Sequence, residues 1–206
     1  MTVTIKYNSQ IADSTLSSYT KEWAIKNGDF SQAARSDKDY GNFTDGGVAS
    51  GFSGTKYTVG SSHDGGTGMV VEGELTYSFM PQHTFYGKME SLELGEGLLP
   101  NADDVGKHLE ELQLKLTGLD ITGDYDSSKT KEENHQGDMH KATYGLMCGN
   151  ADPLLEILQA KGVDINTSLK DMSIASQLDT TSDVMADSPV VDTVGASDSV
   201  EILMAA

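Results

Sequence analysis

Cysteine is almost absent from this chain: Cys148 is the only one in 206 residues. No intramolecular disulfide can form, and neither can a cysteine-based zinc site. That fits a reducing compartment, and it fits equally well export without a disulfide-forming step. Positive charge is scarce too. Lys and Arg total 14 against 32 Asp and Glu, a formal charge of −18. Such a surface repels phosphate backbones and anionic membranes, so nucleic acid and lipid are not expected partners, and it favours a monomer. No apolar run is long enough to span a bilayer. The opening MTVTIKYNSQ has neither the basic start nor the apolar centre of a cleavable secretory signal. Gly-x-Ser-x-Gly, phosphate-loop and dinucleotide fingerprints are all missing.

What is present has an α+β layout. VTIKY (3–7) alternates like a strand. Asp13 or Ser14 can cap a helix carrying Leu16, Tyr19 and Trp23 on one face, and Asn27-Gly28 can end it. Residues 29–54 lose periodicity and are polar and glycine-rich. A loop of that length is functional or mobile. Strand signals then follow one another: TKYTVGSS, GMVVEGELTYSF, HTFYGKMESLEL and LQLKLTGLDI, the last with Leu112, Leu114 and Leu116 on one side. Short connections between them predict an antiparallel meander with one buried face.

Helical character begins at Gly137, with GDMHKATYGLMCGN. ADPLLEILQAKG follows, with Asp152 as cap, Pro153 at the first helical position and Gly162 just past the end. TSLKDMSIASQ reads as a third helix. A sheet with helices packed on one face accounts for this order. After Lys170 no basic residue occurs. Residues 179–206 read as an acidic flexible tail closing on Ile202-Leu203-Met204, set apart from a domain spanning 1–178. A tail of that kind suits a segment read by another protein.

The chemistry concentrates in GELTYSFMPQHTFYG (73–87). With a turn centred on Met80, Tyr77 faces His83 across a five-residue loop. Cross-strand Cβ atoms lie about 4.5–5.5 Å apart, so a phenol could reach an imidazole there. A histidine taking the phenol proton makes tyrosine more phenolate-like, a hard oxygen donor suited to ferric iron. The same residues also read as the end of a buried face, with the hydrogen bond satisfying two polar groups. His135 and His140, five apart, are a second candidate pair. They lack the spacing that puts two imidazoles on one helical face, so a secreted metal-dependent hydrolase is the weaker alternative. A structural or adhesive role for the glycine-rich loop is a third.

GELTYSFMPQHTFYGKMESLELGEGL, MHKATYGLMCGN, the opening IKYNS, WAIKNGDF and the apolar end with two alanines together resemble the HasA-type hemophores, secreted bacterial haem-acquisition proteins. The resemblance runs the length of the chain. It implies one curved antiparallel sheet backed by helices, and no catalytic turnover. It also implies a ferric haem b cargo, with Tyr77 as iron ligand and His83 bonded to it. Met80, Phe85, His140, Tyr144 and Met147 match pocket positions. Gln32 stands where many members carry a second histidine ligand, and no histidine occurs between Asp29 and Gly54. Glutamine is a weak ligand for ferric haem, so Tyr77 is expected to be the one strong protein ligand. The implied partners are haem, haem-source proteins such as haemoglobin, and an outer-membrane TonB-dependent receptor. A type I secretion system reading the C-terminal tail completes the set. The expected location is extracellular.

Overall fold

A computed structural model describes residues 2–102 and 105–178. The acidic tail at 179–206, and with it the expected domain boundary and secretion signal, lies outside the described residues. The strands are β1 (Thr4–Tyr7), β2 (Asn42–Asp45), β3 (Val48–Ala49), β4 (Ser53–Gly60), β5 (Thr67–Ser78), β6 (Thr84–Pro100), β7 (Lys107–Gly123) and β8 (Ala175–Gln177). The helices are α1 (Leu16–Asn27), α2 (Lys131–Asn134), α3 (Asp138–Met147) and α4 (Asp152–Ala160). The strands form one open sheet in the order β3-β2-β4-β5-β6-β7-β1-β8. The expected α+β layout is present. The sheet is mixed rather than wholly antiparallel, because β8 runs parallel to β1 at the edge.

The segment expected to form a third late helix instead makes a single 3-10 turn, Leu169–Asp171, followed by β8. Thr-Ser and a β-branched isoleucine are poor helix formers, and the open edge of β1 offers backbone partners. Helix starts also shift by a residue or two. Thr15, not Asp13 or Ser14, caps α1 in a reciprocal box with Ser18. Asp152 is the first residue of α4 rather than its cap, and Pro153 comes second. Within 29–54 the second half is a strand pair. Gly46 and Gly47, both at positive φ, turn β2 back into β3. A Gly-Gly pair between NFTD and VAS is a two-residue hairpin signal.

Four register shifts interrupt the long strands, at Gly54/Lys56, Glu72/Gly73, Met89/Ser91 and Leu94/Gly95. Each bulge bends its strand and raises the local twist, which curves the sheet. At Gly73 (φ 149°) a Cβ would sit 2.1 Å from the Lys88 carbonyl oxygen, so only glycine fits that bulge. The shift at Leu94/Gly95 also explains why Leu112 is only half-buried while Leu114 and Leu116 are buried. Trp23 of α1 donates its indole N–H to the Gly95 carbonyl there (3.1 Å), pinning the helix to the bend. Leu16, Tyr19, Trp23, Met139, Leu146, Leu154 and Leu158 join sheet residues Ile5, Met69, Leu92 and Leu114 in one core.

Replacing Trp23 by Phe removes the indole donor to the Gly95 carbonyl and removes ring volume. Unfolding free energy should fall by about 1–3 kcal/mol, read as a lower urea midpoint at unchanged m-value.

Candidate functional site

The β5–β6 hairpin forms the centre of the site. Its register pairs Ser78 with Thr84 and Tyr77 with Phe85, so the loop is 79–83 and centres on Pro81. The expected register, with Tyr77 directly opposite His83, is therefore off by one residue on each strand. His83 belongs to the turn, where its backbone is left-handed (φ 54°). From there its Nδ1 still meets the Tyr77 hydroxyl at 3.0 Å. The expected phenol–imidazole bond exists, supplied by turn geometry rather than by cross-strand pairing.

Tyr77 is half-buried. Burial, then the charge of Tyr40, pushes its phenol pKa above the ordinary value. Unaided, the group is a neutral phenol at neutral pH. As a phenol it donates to the lone pair of His83 Nδ1, an unprotonated nitrogen that can take the proton when a cation binds the oxygen.

Aromatic rings surround the pair. The Tyr77 backbone N–H donates to the Phe52 carbonyl (2.8 Å), which draws the β3–β4 turn alongside the hairpin. Phe52 stacks on Phe79 at 5.2 Å and 10°, and Phe79 meets the His83 ring edge-on at 5.3 Å. Phe52, Phe79 and Met80 are 54%, 50% and 67% exposed, so a large apolar patch flanks the phenol. Exposed apolar area of this kind marks a binding surface. Phe52 and Phe79 were missed in the sequence. Phe79 carries a usable signal, an aromatic in the hairpin loop itself. Phe52 does not, because it arrives from another strand connection.

The remaining expected residues occupy a layer beneath. Phe85 is buried 4.7 Å from the Tyr77 ring and 5.3 Å from Tyr57. His140 is buried on α3, its Nδ1 accepting the Phe85 backbone N–H at 3.2 Å. It stacks with His135 (3.8 Å) and Tyr144 (5.2 Å). Burial first, then the charges of His135 and Lys131, lowers the His140 pKa to about 3. Burial first, then a Cys148 contact, raises the Tyr144 pKa to about 12. Met147 is buried with its sulfur 3.8 Å from the Tyr57 hydroxyl. Gln32 is exposed in the segment after α1, where its side-chain amide donates to the Asp29 carboxylate (2.9 Å). Tyr77, His83, Phe85, His140 and Tyr144 thus form one connected cluster with Met80 at its exposed rim, while Gln32 is engaged elsewhere.

The family model for Heme-binding protein A (HasA) matches residues 1–206. The chain belongs to the HasA family. Its structure is similar to the holo form of the hemophore HasA from Yersinia pestis, with a TM-score of 0.82 and 50% identity over 86% of this chain and 99% of that one. An apo form from Yersinia pestis gives 0.81 and 49%, covering 92% and 100%. Hemophore HasA of Serratia marcescens is 29% identical over 186 residues, covering 85% of this chain and 92% of the relative. HasA hemophores are haem-binding carriers, not enzymes. The hydrolase alternative finds no support. Nδ1 of His140 and Nε2 of His135 are each engaged by hairpin backbone, and no group of three or more His, Cys, Asp or Glu among the described residues could hold a metal ion. No described helix is long and apolar enough to cross a membrane.

His140 yields a pH prediction for the HasA fold. Its folded pKa is depressed, so between pH 6.5 and about 3 the unfolded chain binds the extra proton. Stability from this group is complete above pH 6.5 and is lost as pH falls, by about 1.4 kcal/mol per unit. Urea denaturation at pH 7 and pH 5 should show a smaller acid loss in His140→Gln than in the wild type.

Proposed function

We propose that this protein is an extracellular carrier of ferric haem, holding the iron through the Tyr77 oxygen. The single observation carrying this reading is the 3.0 Å contact between the Tyr77 hydroxyl and His83 Nδ1. The donor set suits the cargo: an oxygen ligand for ferric iron, a base for its proton, and flat apolar rings for a porphyrin. Iron approaching the phenol stabilises the oxyanion, and the proton passes from oxygen to Nδ1. The resulting imidazolium then donates a charge-assisted hydrogen bond to the iron-bound oxygen. Phe52, Phe79 and Met80 supply the apolar contact that removes porphyrin surface from water. Gln32 adds no strong second ligand, so the sixth iron position is open or water-filled. Haem comes from donors such as haemoglobin. Delivery to an outer-membrane TonB-dependent receptor completes iron acquisition, after export by a type I system that reads the acidic tail at 179–206.

Haemin titration should give an intense, saturable Soret band. His83→Ala should lower affinity by about 1.5–3 kcal/mol, the worth of a hydrogen bond to a charged group, or roughly 10- to 150-fold. Tyr77→Phe should lose more than that. Absence of saturable binding by the wild type would end the proposal.

Gln32→His tests the segment after α1. The ferric EPR spectrum should gain a low-spin component if that segment closes over the iron, and we expect that gain. A spectrum identical to the wild type would place residue 32 away from the metal.

A further inference from the structure

His83 occupies a left-handed backbone conformation that a non-glycine residue keeps only where its surroundings impose it. Those surroundings come from one corner of the fold, the junction of α2 and α3. On the N-terminal side of His83, His135 Nε2–H donates to the Gln82 carbonyl at 2.9 Å. That carbonyl belongs to the Gln82–His83 peptide itself, so the bond sets the plane from which His83 projects. The Thr84 hydroxyl also donates to that oxygen, at a longer 3.4 Å. The Gln82 side chain is held at both ends. Its amide donates to the Lys129 carbonyl (2.8 Å), and its oxygen accepts from the buried Asn134 amide. Asn134 is fixed in turn by two bonds to the Asp126 backbone, at 3.0 and 2.8 Å. On the C-terminal side, His140 takes the Phe85 N–H. The two imidazoles that grip either flank of His83 stack on each other at 3.8 Å.

We propose that His135 is a positioning residue for haem capture: it fastens the Gln82–His83 peptide so that Nδ1 of His83 faces the Tyr77 hydroxyl. The proposal rests on the haem-carrier reading, in which His83 serves the iron-bound phenolate. The side-chain hydrogen bond and ring contact of His135 go to the Gln82 carbonyl and to His140, not to Tyr77 or the exposed aromatic rings. Its influence on haem therefore passes through the turn. A freed Gln82–His83 peptide can rotate, and the imidazole then spends only part of its time in reach of the phenol.

The test is a double-mutant cycle read by haemin titration and urea denaturation. His135→Phe keeps the ring against His140 and removes the donor. Haem affinity should fall about 3- to 10-fold, the worth of one neutral hydrogen bond. In a His83→Ala background the same change should have no further effect, because the ring being positioned is gone. His135→Gln, which retains an N–H donor, should recover part of the loss and serves as the working variant if His135→Phe does not fold. Wild-type affinity in the folded His135 variants, or the same loss with and without His83, would overturn the proposal. Its failure is separable from failure of the haem-carrier reading. If that reading fails, Tyr77→Phe and His83→Ala bind haemin like the wild type. If only the positioning role fails, those two lose affinity and the His135 variants do not follow the cycle.

Discussion

A single strained residue organises the functional end of this molecule. His83 sits at positive φ with its imidazole reaching back across the turn to Tyr77, a conformation that a non-glycine residue keeps only where its surroundings impose it. The α2–α3 corner imposes it through buried Asn134, His135 and His140. Those helical residues are anchored to the sheet through Met139, Ala142 and Leu146 in the main core. The phenol–imidazole bond at the surface is thus held by packing that begins in the middle of the protein.

Curvature serves the same end. The bulges at Gly73, Met89 and Gly95 bend β5, β6 and β7 together, and Trp23 fixes the bend from the helical side. The β4–β5 register, which sets Ser53 opposite Thr76, carries on into the β3–β4 turn and places it beside the hairpin tip, where the Phe52 carbonyl accepts from Tyr77 N–H. Two chain segments more than twenty residues apart then share one apolar surface. Its rings pack on one another yet stay about half exposed, and hydrophobic area left uncovered in this way is what a binding role explains.

Electrostatics divides the aromatic and imidazole groups into two layers. Buried His140 and partly buried Tyr144 are pushed firmly toward their neutral forms, which suits groups that stack and accept or donate single hydrogen bonds. Tyr77 is half-buried and shifted the same way, and it has an imidazole nitrogen 3.0 Å from its hydroxyl that can take its proton. Chemistry is possible at the boundary between layers, where desolvation is partial and a proton has somewhere to go.

Much of this was legible in the chain. Alternation located β5, β6 and β7, the Asn27-Gly28 pair ended α1, and a tyrosine and a histidine flanking a proline marked the hairpin as the place to look. Those signals are local, because strand period, helix stop and turn composition depend on near neighbours in sequence. Register was not legible. Cross-strand pairing depends on bulges, and one extra residue moves every partner. At the hairpin tip the turn itself sets the pairing: its loop is 79–83, so Tyr77 pairs with Phe85 and His83 reaches the phenol from the turn. Nor could the chain by itself reveal that Phe52 lies over Tyr77, that β8 joins β1 in parallel, or that His135 and His140 grip the hairpin backbone rather than a metal. Each depends on contacts between segments distant in sequence, and such contacts are set by how the whole core closes. The sequence determined which polar and aromatic groups the chain has to offer; the tertiary structure decided which of them share one surface, because that depends on how distant segments close together.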